Sequence, residues 1–99
     1  MFARTSIWTG TAEAIDRWAA AAETVRPFVE GLEGNAGAFF FVDRSSGRAL
    51  TLTLWNTEDA ARASDVAADE SRARTMAATG VDLLERGQYE VIDRPEATG

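Results

Sequence analysis

The sequence predicts an α+β domain in the order βαββαβ, and three observations carry that prediction. A hairpin lies mid-chain, AFFFVD then RSSG then RALTLTLW, and runs straight into a helix start, NTEDAA. The segment before it opens with alternating residues and then changes to a helical period. The segment after it is a long alanine-rich stretch closed by a glycine and followed by a short apolar run.

Phe2 to Trp8 alternates, with Phe2, Arg4, Ser6 and Trp8 on one side and Ala3, Thr5 and Ile7 on the other, which reads as a strand. Thr9-Gly10-Thr11 ends it. Thr11 is a helix N-cap, and Glu13 in the next turn complements the helix dipole. Ile15, Trp18, Ala22, Val25, Val29 and Leu32 then fall three or four apart, forming one apolar stripe. Pro27 lies off the stripe and removes a backbone donor, so a kink or break is expected between Glu23 and Pro27. Gly31 and Gly34 close the helix.

Ala36 to Asp43 is the second strand, and Phe39-Phe40-Phe41 puts aromatic rings on both of its faces. Arg44-Ser45-Ser46-Gly47 is a hairpin turn with Gly47 suited to positive φ. Arg48 to Trp55 is the third strand, with Leu50, Leu52 and Leu54 on one face and Thr51, Thr53 and Trp55 on the other. Thr57 caps the second helix, followed by Glu58 and Asp59. Ala60, Ala63, Val66, Ala67, Ala73, Met76 and Ala77 are its expected buried positions. Asp65 and Asp69 repel at i,i+4, and a break is expected there. Gly80 is a C-terminal cap, Val81, Leu83 and Leu84 form an apolar link, and Gln88 to Asp93 is the last strand. The expected domain is 1–93, with 94–99 a flexible tail.

Composition narrows the chemistry. The 99 residues suffice for one domain, with 45% hydrophobic residues and a net charge of −6, so nucleic acid and anionic membrane are poor partners. All ten basic residues are arginine, which removes lysine Schiff-base chemistry. Without cysteine there is no disulfide, thiolate nucleophile or thiolate metal site. Without histidine, Ser-His-Asp triads, His-ligated haem and most zinc sites are gone as well. No metal or other cofactor is expected. Any chemistry must use carboxylates, Tyr89, arginines, hydroxyls or the substrate itself. MFARTSIW lacks the apolar core of a signal peptide and no apolar run is long enough for a membrane span, so a cytoplasmic protein is expected.

The element order favours a ferredoxin-like antiparallel sheet in the order 4-1-3-2 with both helices on one face. Both faces of that sheet carry large apolar groups. A bare face would expose more than the roughly 400 Å² tolerated on a soluble surface. A second copy of the sheet would cover it, closing a dimeric α/β barrel. Phe2, Trp8, Thr51, Thr53 and Trp55 are the expected dimer interface. Thr5, Ile7, Trp18, Phe39, Phe40 and Leu52 are the expected lining of a pocket between helices and sheet. Arg4 is either a paired structural arginine or a binder of an anionic group. Asp65 and Asp69 share a helical face, and solvation outweighs cation binding there.

Two features resemble the antibiotic-biosynthesis-monooxygenase-like branch of the dimeric α/β-barrel proteins. One is the first strand ending in a glycine that opens the helix, Arg4 through Gly10-Thr11. The other is LTLW-NTEDA, Leu52 to Ala60, an aromatic-ended third strand followed by W-x-[ST]-x-[DE]-A and the second helix. The resemblance implies a structural barrel and a pocket in each subunit that holds an aromatic substrate or haem. Some members oxygenate polyketide quinols or anthrones without metal or flavin. Haem-degrading members need an Asn, a Trp and a His where this chain has Ala3, Ser64 and Arg74, which argues against haem degradation. The expected function is a small homodimeric, cofactor-independent monooxygenase-like enzyme acting on an aromatic or polyketide-like molecule, with no catalytic residue assigned. The alternatives are a non-catalytic small-molecule-binding or stress-related barrel and an interaction module using an exposed edge strand.

Overall fold

The computed structural model describes residues 1–95, in the order β1 (Phe2–Thr9), α1 (Ala12–Glu30), β2 (Asn35–Asp43), β3 (Arg48–Trp55), α2 (Glu58–Thr79) and β4 (Asp82–Glu90). The four strands form one antiparallel sheet in the order β2-β3-β1-β4, the expected 4-1-3-2 arrangement. The helices begin where the threonines place them. Thr11 Oγ1 accepts the Ala14 N–H at 3.2 Å, and Thr57 Oγ1 accepts the Ala60 N–H at 3.1 Å. Gly80 ends α2 in the left-handed conformation, φ 85°, with its N–H on the Met76 carbonyl.

Three expectations about helix and strand continuity are corrected. Helix α1 runs unbroken through Pro27, because the proline falls in the last turn and the Gly31 N–H closes onto its carbonyl at 3.1 Å. Helix α2 runs unbroken past Asp65 and Asp69, because arginines sit on their carboxylates: Asp65 on Arg72 at 3.1 Å and Asp69 on Arg86 at 3.3 Å. Strand β4 starts at Asp82, not Gln88, and pairs with β1 along its length, with an irregularity at Ile7/Trp8. Leu83 and Leu84, expected in a link, are part of this strand because β1 offers it a free edge. Arg94 and Pro95 carry no regular structure, and residues 96–99 of the expected tail lie outside the described residues.

The sheet faces are the reverse of the expected ones. The register sets Phe2 opposite Trp55, Arg4 opposite Thr53, Ser6 opposite Thr51 and Trp8 opposite Ala49, and this set lies under the helices. Trp55 is 0% exposed within one chain, and Trp8 and Thr53 are buried with it. Phe2 packs against the same core, and Thr51 is half-buried. These residues therefore do not form the outward face of the sheet. Thr5, Ile7, Phe39 and Leu52, expected in the pocket, belong to the opposite set and face away from the helices. Alternation separates a strand into two sets but does not say which set its helices cover, and here both sets carry large apolar residues.

Helix α2 is also turned from its expected phase. Ala61, Ser64, Arg72 and Thr79 are its buried residues, Ala60 and Met76 are half-buried, and Ala63, Ala67, Ala73 and Ala77 are exposed. Val66 stands 76% exposed. The inward stripe is small and polar, so a search for apolar residues finds the wrong side. Two core clusters lie at opposite ends of the helix-side face, one around Trp8, Ile15, Trp18 and Val81, the other around Val29, Ala38, Trp55 and Ala61.

The β2–β3 turn is locked onto the β1–α1 junction. Gly47 adopts φ 69°, its carbonyl accepts the Gly10 N–H at 3.0 Å, and a Cβ there would lie 2.6 Å from the Gly10 carbonyl oxygen. Gly47→Ala is expected to cost about 1–3 kcal/mol, through left-handed strain and this contact. A chemical-denaturation midpoint unchanged from the parent would contradict it.

Candidate functional site

The space between the sheet and the two helices divides the core clusters. It is a cavity of about 60 Å³ floored by the helix-side face of β1, β3 and β2. Arg4, Ser6 and Trp8 come from β1, Thr51 and Thr53 from β3 and Phe40 from β2. Helix α1 contributes Trp18, Val25 and Phe28, and α2 contributes Ser71, Arg72 and Thr75. Trp18 and Phe40 form a tilted pair with centroids 6.0 Å apart. The cavity opens between α1 and α2 into a cleft of about 380 Å³, and Ala21, Val25, Phe28, Ser71 and Thr75 line both.

One wall is a charge cluster. Arg4 is 7% exposed; its Nε donates to Ser64 Oγ at 2.7 Å, its Nη1 approaches Asp65 Oδ1 at 3.4 Å, and its guanidinium lies 5.7 Å from the Trp55 ring centroid. Arg72 is 6% exposed, donates to the Asp65 carbonyl at 2.9 Å, and pairs with both aspartates. Arg86 from β4 reaches the same carboxylates from outside. Three guanidinium groups thus meet two carboxylates, leaving one positive charge in excess. Burial draws the Arg4 pKa below its ordinary value, Asp65 opposes that, and Arg72 and Arg86 add to it. The hydrogen bond and charge of Arg72 hold the exposed Asp69 carboxyl below its usual range. Asp65 and Asp69 are therefore ion-paired, where the sequence pointed to plain solvation.

Of the residues expected in the pocket, Trp18 and Phe40 line this cavity. Thr5, Ile7, Phe39 and Leu52 do not, and four of its polar residues (Ser6, Ser71, Arg72 and Thr75) were not anticipated. Tyr89 is exposed, pairs with Ala3 and lies outside it. A signal for the missed residues exists in the spacing of Ala61, Ser64, Ala68, Arg72, Thr75 and Thr79, which recur every three or four residues as α2's inward stripe.

A four-stranded ferredoxin-like sheet with a polar-walled cavity beneath two helices defines the class. No protein-family model matches the chain, and no curated protein matches it. Solved structures do. A putative antibiotic biosynthesis monooxygenase from Deinococcus radiodurans superposes with a TM-score of 0.75 over 100% of both chains at 14% identity. A dimeric ferredoxin-like protein from an uncultured marine organism gives a TM-score of 0.72 at 9% identity, covering 95% of this chain and 96% of its own. A variant of SnoaB, a cofactor-independent oxygenase from Streptomyces nogalater, gives 0.71 at 14% identity, covering 96% and 97%. The chain has the fold of the antibiotic-biosynthesis-monooxygenase-like proteins. Among the described residues no helix is long and apolar enough to cross a membrane.

Proposed function

We propose that the protein is a homodimeric, cofactor-independent monooxygenase-like enzyme acting on an aromatic small molecule in the cytoplasm. The observation that carries this reading is the pocket itself: the rings of Trp8, Trp18 and Phe40 beside threonine hydroxyls and two arginines, with a cleft between the helices adjoining it. The fold shared with a cofactor-independent oxygenase supports it. In such a reaction an activated ring CH₂ and O₂ give a carbonyl and water, so the substrate supplies both electrons and protons. The protein's part is to hold the ring in one orientation and keep bulk water out. Oxygen uptake is expected with at least one member of a panel of quinols and anthrones. No turnover with any of them would sink the enzyme reading.

The dimer rests on the sheet face turned away from the helices. Ile7, Leu50, Leu52 and Leu54 share it with Phe39 and Phe41, whose rings stack 6.3 Å apart and stand about half exposed. A facing copy would bury this surface. Sedimentation is expected to show a dimer, and Phe39→Asp to shift it toward monomer. A parent protein that sediments at 10.7 kDa would refute the assembly.

A non-catalytic, binding or stress-related barrel with a small or closed pocket is the second reading. An inner cavity of about 60 Å³, against the roughly 300 Å³ of an ordinary ligand pocket, favours a small or closed pocket.

A further inference from the structure

Several of the polar groups at the inner cavity carry protons with nothing to donate to. Trp8 Nε1 donates to Thr51 Oγ1 at 3.3 Å, and Trp55 Nε1 donates to Thr53 Oγ1 at 2.9 Å. Each indole engages its threonine oxygen as an acceptor, leaving the hydroxyl proton for another partner. Among the described residues neither threonine O–H donates to a protein side chain. Arg72 commits Nη2 to Asp65 and Asp69, while its Nε and Nη1 make no hydrogen bond among the described residues. Arg4 commits Nε and Nη1 and leaves Nη2 without a hydrogen bond among them. Among the described residues no fully buried side-chain polar atom lacks a partner, so these N–H groups keep some accessible surface. Both arginines line the cavity, Arg4 also borders an outer pocket beside Arg86, and the nearby carboxylates each meet guanidinium groups through one oxygen.

We propose that this cavity binds an anionic oxygen group of an aromatic ligand, seated among Arg4, Arg72 and the hydroxyls of Thr51 and Thr53. The inference rests on the pocket of the reading above and deepens it by naming the substrate class, an aromatic carboxylate or an ionised phenol. Unengaged guanidinium N–H groups and two free threonine protons beside a surplus positive charge are matched by a group that only accepts. Hydrogen bonds to an ionised oxygen are roughly twice as strong as neutral ones. Size points the same way. About 60 Å³ suits an oxyanion head and not a ring, while the adjoining cleft of about 380 Å³ between α1 and α2 has room for the ring. With no histidine in the chain, the arginines and hydroxyls favour the ionised form by stabilising it, with no side chain needed to take the proton.

The test is binding, read by quenching of tryptophan fluorescence or by calorimetry, with 2-naphthoate, its methyl ester, and a nitrophenol that ionises near neutral pH. At pH 7 the carboxylate is expected to bind at least tenfold more tightly than the ester. The nitrophenol is expected to bind at least tenfold more tightly above its pKa than below it. Preference for one anion or the other identifies the source. Arg72→Gln should reduce the acid-to-ester affinity ratio to within about twofold of one. Should that variant not fold, the acid–ester comparison on the parent protein still decides. Equal affinity for acid and ester, or no binding of either, overturns the proposal. Tight anion binding without oxygen uptake on any substrate would sink the oxygenase reading and leave this site standing. Turnover of an uncharged substrate alongside equal acid and ester binding would do the reverse.

Discussion

Trp55→Ala is expected to remove about 3–5 kcal/mol of folding stability, the range for truncating a large aromatic residue in a core. Trp55 has no exposed surface and joins Val29, Ala38 and Ala61, so it ties α1, β2 and α2 to the end of β3. Its Nε1–H is matched by Thr53, and its ring faces the Arg4 guanidinium. Truncation leaves a cavity, a threonine acceptor without its donor, and a buried cation without its aromatic neighbour. Domains have only about 5–15 kcal/mol in hand, so the loss would consume a large share of the stability. Urea denaturation should show a lower midpoint with an unchanged slope. A loss below about 1 kcal/mol would mean that the site collapses around the gap, contrary to the packing described.

The second large effect concerns charge. Asp65→Asn is expected to cost about 2–4 kcal/mol, because buried Arg4 loses its carboxylate partner and is left beside Arg72, which keeps Asp69. Asp65 lies 3.4 Å from Arg4, 3.1 Å from Arg72 and 3.9 Å from Arg86 through a single carboxylate oxygen. Its side chain is 38% exposed, so water screens part of the interaction and the cost lies about 1 kcal/mol below the roughly 3–5 kcal/mol of a fully buried pair. Asp16→Asn makes the contrast. Its pair with Arg44 is exposed on both sides, and its loss should cost less than about 1 kcal/mol. In a double-mutant cycle, Arg72→Met placed on Asp65→Asn should recover part of the stability, since it removes the like charge beside Arg4. Equal losses for Asp65→Asn and Asp16→Asn would show that the buried cluster contributes no more than a surface pair.

Features whose chemistry closes within a few residues could be read directly from the chain. Thr11 and Thr57 each cap an amide three residues on, Gly80 closes α2 in a left-handed turn, and Gly47 turns the hairpin, all as the local pattern indicates. The bounds of β3, Arg48 to Trp55, follow from the same short-range alternation. The start of β4 did not, because pairing with β1 makes Leu83 and Leu84 strand residues, and that partner is more than seventy positions away in the chain. The candidate site was legible only in part. Trp18 sits on an apolar helical stripe and could be placed beneath the helix. Arg72 and its neighbours on α2 could not, because polar residues facing inward contradict the pattern used to find an inner face.

The chain's local spacing settled the number, kind and order of its elements, and its lack of histidine and cysteine settled which chemistry is out of reach. Packing settled which side of the sheet the helices cover, and with it whether Trp8, Thr51, Thr53 and Trp55 would be pocket or outer surface. The cause is physical. A two-residue period separates a strand into two faces and is blind to which one meets a helix, while the crossover from β1 through α1 to β2 places the helix on one side only.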